Sequence, residues 1–383
     1  FGADPATRQQ VLLTLAEIYL NIGDYPAAEA LLSRFQELEG GDTPAVLRAR
    51  SHIYLSTIAS RRGQPQQACA EVAQALPLLD SDSSGQRITY ADALSARGAC
   101  RRLLGETDAA IGDYEQALAI FTSDGDDSNL AAAHNNLAAA QLQLGRNAEA
   151  EANLQAALRS YARAGRDHSA DAASTLNNLA ISVFSRGDPR GAAIWLQRAL
   201  EVQRDATGDS APLGAQLSNY GRILLLLGRS DEAAAPLREA LALLQRFTGE
   251  DSLDTASAHF SLATFLADSG DGAAAVEEAG RAHALFATRL TDNHPMSRRV
   301  QGGLAAIQAR HGLQAQALKN FDAAIAGLEG GGAALHSHLA TTLCERAIAI
   351  RTLRPEQARA DARRCVELRR QSIGAAHWET AEA

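Results

Sequence analysis

The side chains that could do chemistry in this sequence are few and widely spaced. Four cysteines could form disulfide bonds or remain as small buried thiols. His336 and His338 could belong to a metal site, but side chains two residues apart on a helix point to different faces. We therefore predict that the chain holds no metal.

The short motifs of nucleotide-binding and hydrolytic enzymes are also missing. The sequence has no Gly-x4-Gly-Lys-[Ser/Thr] phosphate loop, no dinucleotide fingerprint opening a helix, no His-Glu-x-x-His and no Gly-x-Ser-x-Gly. The glycine run 330–332 has no lysine after it, which indicates a connector. No pair of acidic residues stands out as a general acid and base. We predict no catalytic residue and no cofactor in these 383 residues.

Charge and hydropathy exclude two classes of partner. The 36 basic and 45 acidic residues leave a net charge of −9, which disfavours a nucleic-acid binder. Apolar runs such as 223–227 are far shorter than the ~18 residues that span a bilayer. The chain begins at Phe1, not Met, which predicts a processed product or a piece of a longer protein.

A repeat organises the whole chain. Eight glycines spaced 40 to 42 residues apart are each followed five residues later by an alanine, and a ninth, degenerate copy has Arg354 in place of glycine. Apolar residues recur on both sides with the spacing of packed helices. Each glycine is predicted to end one helix in a left-handed conformation, with Asp188-Pro189 or Ser230 capping the next helix. The eight pairs are Gly23/Ala28, Gly63/Ala68, Gly105/Ala110, Gly145/Ala150, Gly187/Ala192, Gly228/Ala233, Gly270/Ala275 and Gly312/Ala317.

This pattern resembles the tetratricopeptide repeat (TPR) family. The matching features are a small first-helix residue (Ala138, Ala180, Gly221, Ala263), the glycine, the alanine, and Ala-Leu near the end of the second helix. The connectors Thr291-Asp-Asn-His-Pro-Met and Gly374-Ala-Ala-His-Trp-Glu-Thr resemble those of kinesin-light-chain-like TPRs. The resemblance implies an all-α, right-handed superhelix, or α-solenoid, of antiparallel helix pairs.

The repeats imply one solenoid over residues 1–383. We expect residues 374–383 to be a truncated connector, where either the following helix is missing or the tail is disordered. The predicted repeats are 6–40, 44–81, 87–124, 127–165, 169–206, 210–248, 252–290, 294–329 and 334–373.

The cysteines fall in two pairs on facing helices. Cys69 lies about as far before the turn near Ser83 as Cys100 lies after it, and Cys344 and Cys365 lie ten and eleven residues from Arg354. Disulfides Cys69–Cys100 and Cys344–Cys365 are therefore geometrically reasonable. Two disulfides would indicate an oxidising compartment such as a bacterial periplasm. The alternative is four buried thiols in alanine-like positions.

In the TPR fold, the first helices line a concave groove. A pair of polar residues, mostly asparagines, recurs at the same position in three successive first helices. An asparagine side chain can both donate hydrogen bonds to and accept them from the backbone of an extended peptide. Because Lys319 is the only lysine and lies elsewhere, the carboxylate clamp of chaperone adaptors is not expected. The groove positions of the first three repeats carry Leu13, Glu17, Leu20, Arg50, Ile53, Thr57, Asp92, Ser95 and Arg102. The predicted peptide-binding residues are Asn135, Asn136, Asn177, Asn178, Ser218 and Asn219, with Ile181, Phe184, Arg222, Leu225 and Phe260 beside them.

Residues 1–35 resemble the TPR region that follows the transmembrane helix of bacterial Ser/Thr protein kinases, on the segments Asp4-Pro-Ala-Thr-Arg, 12–16, Tyr19 and Gly23-Asp-Tyr-Pro. The resemblance implies an extracytoplasmic sensor or docking region that binds a protein or peptide. The alternatives are a cytoplasmic regulatory region of a transcription activator or signalling ATPase, and a free-standing assembly scaffold. A homodimer through the C-terminal end is a further expectation.

Overall fold

The computed structural model describes residues 5–21, 24–290, 294–330 and 335–372. These residues form α-helices joined by short turns and one 3-10 turn, Leu76–Leu78, which confirms the all-α prediction. The helices are α1 (Pro5–Asn21), α2 (Tyr25–Glu37), α3 (Ala45–Arg61), α4 (Pro65–Ala75), α5 (Arg87–Leu103), α6 (Thr107–Asp124), α7 (Asp127–Gln143), α8 (Asn147–Arg163), α9 (Ala170–Ser185), α10 (Pro189–Thr207), α11 (Ala211–Leu226), α12 (Ser230–Thr248), α13 (Leu253–Asp268), α14 (Gly272–Leu290), α15 (Pro295–Arg310), α16 (Gln314–Glu329), α17 (His336–Ile350) and α18 (Pro355–Ser372).

The helices pack as pairs, each with an odd-numbered first helix and an even-numbered second helix. Contacts run within each pair, between successive pairs as from α2 to α3 and from α10 to α11, and between first helices as from α1 to α3 and from α13 to α15. The chain divides into two compact units, Phe1–Asp167 and His168–Ala383. The first contains α1 to α8 and the second α9 to α18. A single continuous solenoid with the repeat boundaries given above stays a prediction.

The repeat glycines end the first helices as predicted. Seven of them have a positive φ, from 69° at Gly63 to 91° at Gly187, a conformation that a side chain would strain. Gly23, the connector glycines 331–332 and the tail 374–383 lie outside the described residues. The cap prediction is right for Asp188, which accepts a hydrogen bond from the Gly191 N–H at 2.8 Å. It is wrong for Ser230, because α12 already begins at that residue and Arg229 is its N-cap.

The repeat alanines form the contact between paired helices. All eight are 0% exposed, because the helix axes approach too closely there for a larger side chain. Gly221 takes the same role on the first helix of its pair. A β-carbon at Gly221 would lie 2.5 Å from the side chain of Leu237 on α12.

In four of the pairs, a hydrogen bond between polar side chains joins the first helix to the second at the same position of the repeat. His52 bonds to Glu71 at 2.8 Å and His134 to Asn153 at 2.8 Å, and the two partners are 19 positions apart in each case. His259 with Glu278, and Gln301 with Asn320, have the same spacing. The partners lie 11 residues before and 8 after the repeat glycine. These buried and half-buried side chains satisfy one another inside the helix pairs.

Both pairs of cysteines are joined. Cys69 links α4 to Cys100 on α5 with Cα atoms 5.5 Å apart, and Cys344 links α17 to Cys365 on α18 with Cα atoms 5.6 Å apart. They are the two pairings that the sequence analysis gives as the alternative to four free thiols. The degenerate ninth pair has a second link, because Arg346 of α17 bonds to both carboxylate oxygens of Asp361 on α18.

Candidate functional site

Two of the predicted asparagines meet on neighbouring first helices. The Asn219 amide of α11 donates to the Asn177 carbonyl oxygen of α9 at 3.1 Å, and both residues are half-buried. The bond leaves the Asn177 amide N–H groups and the Asn219 oxygen for other partners. The remaining asparagines keep their predicted helices: Asn135 and Asn136 lie half-buried on α7 of the first unit, and Asn178 lies half-buried on α9.

A pocket of about 230 Å³ lies beside Asn219 on the second unit, and α11, α13 and α15 contribute most of its walls. Three predicted residues with accessible side chains line it: Asn219, Arg222 and Phe260. The other lining residues are Ala215, Ser218, Leu244, Asp254, Ser257, Ser261, Phe286, Met296, Arg299 and Val300. We call this the first-helix pocket.

Other predicted residues have different roles. Ser218 is only 6% exposed and donates to Ser261 at 3.1 Å, so it ties α11 to α13 in the pocket wall. Leu225 packs against the buried cluster around Leu224, so it supports the core. Ile181 is 40% exposed and Phe184 is half-buried on α9, and neither lines the first-helix pocket.

Phe260 forms part of the pocket because α15 has a glycine opposite it. A β-carbon at Gly303 would lie 2.2 Å from the Phe260 ring, so the ring occupies the space that a side chain would need. Phe260 also packs beside the buried cluster that contains Phe286 and Val300. Contacts with α14 and α15 therefore hold the Phe260 ring in the pocket wall.

The charges of the pocket are mainly positive. Arg222 is open to solvent on one side, but the surrounding protein removes water from its guanidinium and lowers its pKa. Burial, with the charge of Arg222 added, lowers the pKa of Arg299 to about 10, so Arg299 is a cation at neutral pH. Arg222 is also a cation, because guanidinium groups stay protonated in proteins. Burial alone raises the pKa of Asp254 in the same pocket. Burial and then the charge of Arg299 lower the pKa of His338 on α17.

A second polar cluster lies on the first helices of the first unit. Arg50 of α3 bonds to Glu17 of α1 at 3.0 Å and to the Tyr54 hydroxyl at 2.7 Å, and that hydroxyl donates to Glu17 at 2.9 Å. Asp92 of α5 lies within electrostatic range of Arg50 and Glu17. The structure thus brings together Glu17, Arg50 and Asp92, which the sequence placed on the groove.

Asp92 is expected to make the stability of the protein depend on pH. Burial raises the pKa of Asp92 to about 6, although Arg50 opposes the shift, whereas an unfolded aspartate titrates near about 4. The folded state therefore binds the proton more tightly, and stability falls as the pH rises from about 4 to about 6. Asp92→Asn should raise the free energy of unfolding by about 1–2 kcal/mol at pH 7.5 and by less at pH 4.5, as measured by urea titration.

Asp124→Asn is the matched control, because Asp124 is exposed on α6 of the same unit. It should leave the pH dependence unchanged. An Asp92→Asn protein that gains no more at pH 7.5 than at pH 4.5 would contradict the prediction.

A known family model matches part of the chain. Residues 129–205, which include α8 and α9, match the family model described as tetratricopeptide repeat. These residues contain tetratricopeptide repeats, and the helix pairs of the described residues have the fold of that family. No curated protein matches the sequence significantly.

Solved structures share the TPR fold at low sequence identity. A Rap protein complexed with Competence and Sporulation Factor matches with a TM-score of 0.69 and 16% identity over 98% of this chain and 99% of that chain. The apo quorum sensor NprR from B. thuringiensis matches at 0.64 and 15%, over 95% and 99%. The Rap conjugation gene regulator of plasmid pLS20, in complex with the Phr* peptide, matches at 0.60 and 12%, over 96% of each chain. The finer resemblances to kinesin-light-chain-like repeats and to kinases stay predictions.

The sequence analysis of this TPR protein missed Arg299, although the repeat contains a signal for it. Counting back thirteen residues from Gly228, Gly270 and Gly312 gives Ala215, Ser257 and Arg299, and all three line the first-helix pocket. The predicted positions on α9 and α11 lie closer to the glycines. If the predicted groove positions had included the residues one helical turn further from the glycine, they would have included Arg299.

Metal clusters and membrane-spanning helices are both absent from the described residues. No group of three histidine, cysteine or acidic side chains is placed there to hold a metal ion. No helix there is both long and apolar enough to cross a bilayer. A broader depression between α6, α7 and α8 touches none of the predicted site residues.

Proposed function

We propose that this TPR chain binds an extended peptide on the first helices of its second unit. The observation that supports the proposal most is the hydrogen-bonded pair Asn177–Asn219 beside the first-helix pocket. The amide groups left outside that bond suit the N–H and C=O groups of a peptide backbone. The pocket offers Phe260 for an adjacent apolar side chain. Structures of Rap and NprR proteins with peptides agree with this use of the fold.

We further propose that the chain is a sensor or docking region and has no catalytic activity of its own. The disulfides Cys69–Cys100 and Cys344–Cys365 favour an extracytoplasmic location, because such bonds persist in oxidising compartments. A kinase attached to this region would fit the resemblance of residues 1–35. A cytoplasmic regulatory region or an assembly scaffold remains the alternative if the thiols are reduced in the cell.

Selection of random octapeptides displayed on phage against the full chain tests peptide binding. We expect enriched peptides whose affinity falls about tenfold or more for Asn177→Ala/Asn219→Ala, since each lost hydrogen bond contributes about 0.5–1.5 kcal/mol. Isothermal titration calorimetry with the enriched peptides measures the change. Because the two asparagines bond to each other, circular dichroism must show that the variant stays folded.

The control variant removes two amides from second helices, Gln197→Ala/Gln245→Ala on α10 and α12. Its affinity should equal that of the wild type. A selection without enriched peptides, or equal losses in both variants, would refute binding at this surface.

A further inference from the structure

Two cations of the first-helix pocket have no acidic partner in the described part of the chain. Arg222 of α11 and Arg299 of α15 both line the pocket and are near enough for their charges to repel. The Arg299 Nε atom is buried and makes no hydrogen bond to any described residue. No described carboxylate forms a salt bridge with either arginine. The two guanidinium groups therefore have several N–H donors that are available to a ligand.

The acidic residue of the pocket does not neutralise them. Burial raises the pKa of Asp254, and Asp254 forms no salt bridge with Arg222 or Arg299. His338 lies near Arg299 and is itself disfavoured as a cation by that charge. Half-buried Arg97 and Arg101, by contrast, both bond to Asp113. The unpaired arginines of the pocket belong to a chain whose net charge is −9.

Clustered, partly desolvated cations lower stability unless an anion joins them. The planar guanidinium group matches a carboxylate in shape and can bind it through two parallel hydrogen bonds. The volume of about 230 Å³ suits one side chain. Phe260 and Met296 supply apolar surface for the methylene stem of that side chain.

We propose that the first-helix pocket binds the carboxylate of an acidic side chain in the peptide ligand. The inference rests on the proposed function and adds the chemical class of one ligand residue. We choose a side chain over a peptide C-terminus because first helices continue on both sides of the pocket, α9 before it and α17 after it, so the ligand backbone can run past in both directions.

The chain contains its own reporter for this pocket. Met296 lines the pocket and is the only methionine of the sequence, so a methyl-13C-methionine label places one signal there. The probes are acetylated and amidated pentaglutamate, the matching pentaglutamine, and pentaglutamine with a free C-terminal carboxylate. Methyl NMR of the full chain, with the signal assigned by Met296→Leu, follows each titration.

We expect pentaglutamate to shift the Met296 signal and both pentaglutamines to leave it nearly unchanged. Arg222→Gln/Arg299→Gln should weaken the pentaglutamate response at least tenfold. It should also raise the thermal midpoint, because it removes two repelling cations. The matched control, Arg198→Gln/Arg363→Gln, removes two exposed arginines from second helices and should change neither quantity.

Several outcomes would overturn the proposal. Equal shifts with pentaglutamate and amidated pentaglutamine would show that charge is not recognised. A response only to the free C-terminus would make the ligand group a terminal carboxylate. Octapeptides enriched in the phage selection without any excess of Asp or Glu would refute this inference while leaving peptide binding intact. Absence of any enriched peptide would instead refute the proposed function.

Discussion

Arg346→Leu is expected to lower the free energy of unfolding by about 3–5 kcal/mol. The Arg346 guanidinium donates from Nε and Nη2 to the two oxygens of Asp361 at 2.8 Å each, and from Nη1 to Asp322 at 2.7 Å. The side chains of Arg346 and Asp361 are only 11% and 8% exposed. Removal of the arginine leaves the Asp361 carboxylate buried without its partner, which is why the loss exceeds that of a surface ion pair. Denaturant titration followed by circular dichroism measures it.

Two further variants make the measurement specific. Arg346→Leu/Asp361→Leu should recover most of the loss, because no charge then remains buried. Arg364→Leu removes an exposed ion pair with Glu329, whose partners are 50% and 42% exposed, and should change stability by less than about 1 kcal/mol. A double variant as unstable as Arg346→Leu would show that packing, not charge, causes the loss.

Removal of either disulfide is expected to destabilise the protein by about 3–4 kcal/mol. The bonds close loops of 31 and 21 residues, and the loss follows from the larger conformational entropy of the opened unfolded chain. Alanine fits both sites, since Cys100 and Cys365 are fully buried in alanine-like positions. The variants are Cys69→Ala/Cys100→Ala and Cys344→Ala/Cys365→Ala, compared by thermal and denaturant unfolding of protein exported to an oxidising compartment.

Reduction of the wild-type disulfides is the control for the cysteine-to-alanine variants. Reduction should destabilise the wild type by a similar amount, and should have no effect on the variant that lacks all four cysteines. Alkylation of the denatured, unreduced protein, followed by peptide mass spectrometry, should find the Cys69–Cys100 and Cys344–Cys365 peptides linked. Four alkylated thiols would contradict the bonds and move a cytoplasmic regulatory region to first place among the proposed contexts.

Much of the fold could be predicted because one repeated pair of residues encodes it. A glycine with positive φ followed five residues later by a fully buried alanine fixes both the turn and the closest approach of the two helices, as at Gly187 and Ala192. Helix starts were less predictable. Arg229 and Glu106 precede helices without a side-chain cap bond, so the composition of those turns contains no capping signal.

The candidate site was predictable only in part. The asparagine register led to Asn219 and its neighbour Arg222, because helical periodicity places equivalent residues side by side on successive first helices. It could not show that Ser218 turns inward to Ser261, since one step along a helix rotates a side chain by about 100°. Nor could it show that Arg299 lacks a partner, because that depends on which carboxylates the fold brings near.

The contacts between neighbouring helices also determine how the protein unfolds. A chain stabilised by nearest-neighbour contacts behaves like a row of coupled units, so one helix pair can open while others stay folded, and partly folded species become populated. The Cys344–Cys365 disulfide and the buried Arg346–Asp361 pair both join α17 to α18, so they oppose the opening of this helix pair. Native-state hydrogen exchange should then show α17 and α18 protected as strongly as α13 and α14, and reduction should speed the exchange of α17 and α18.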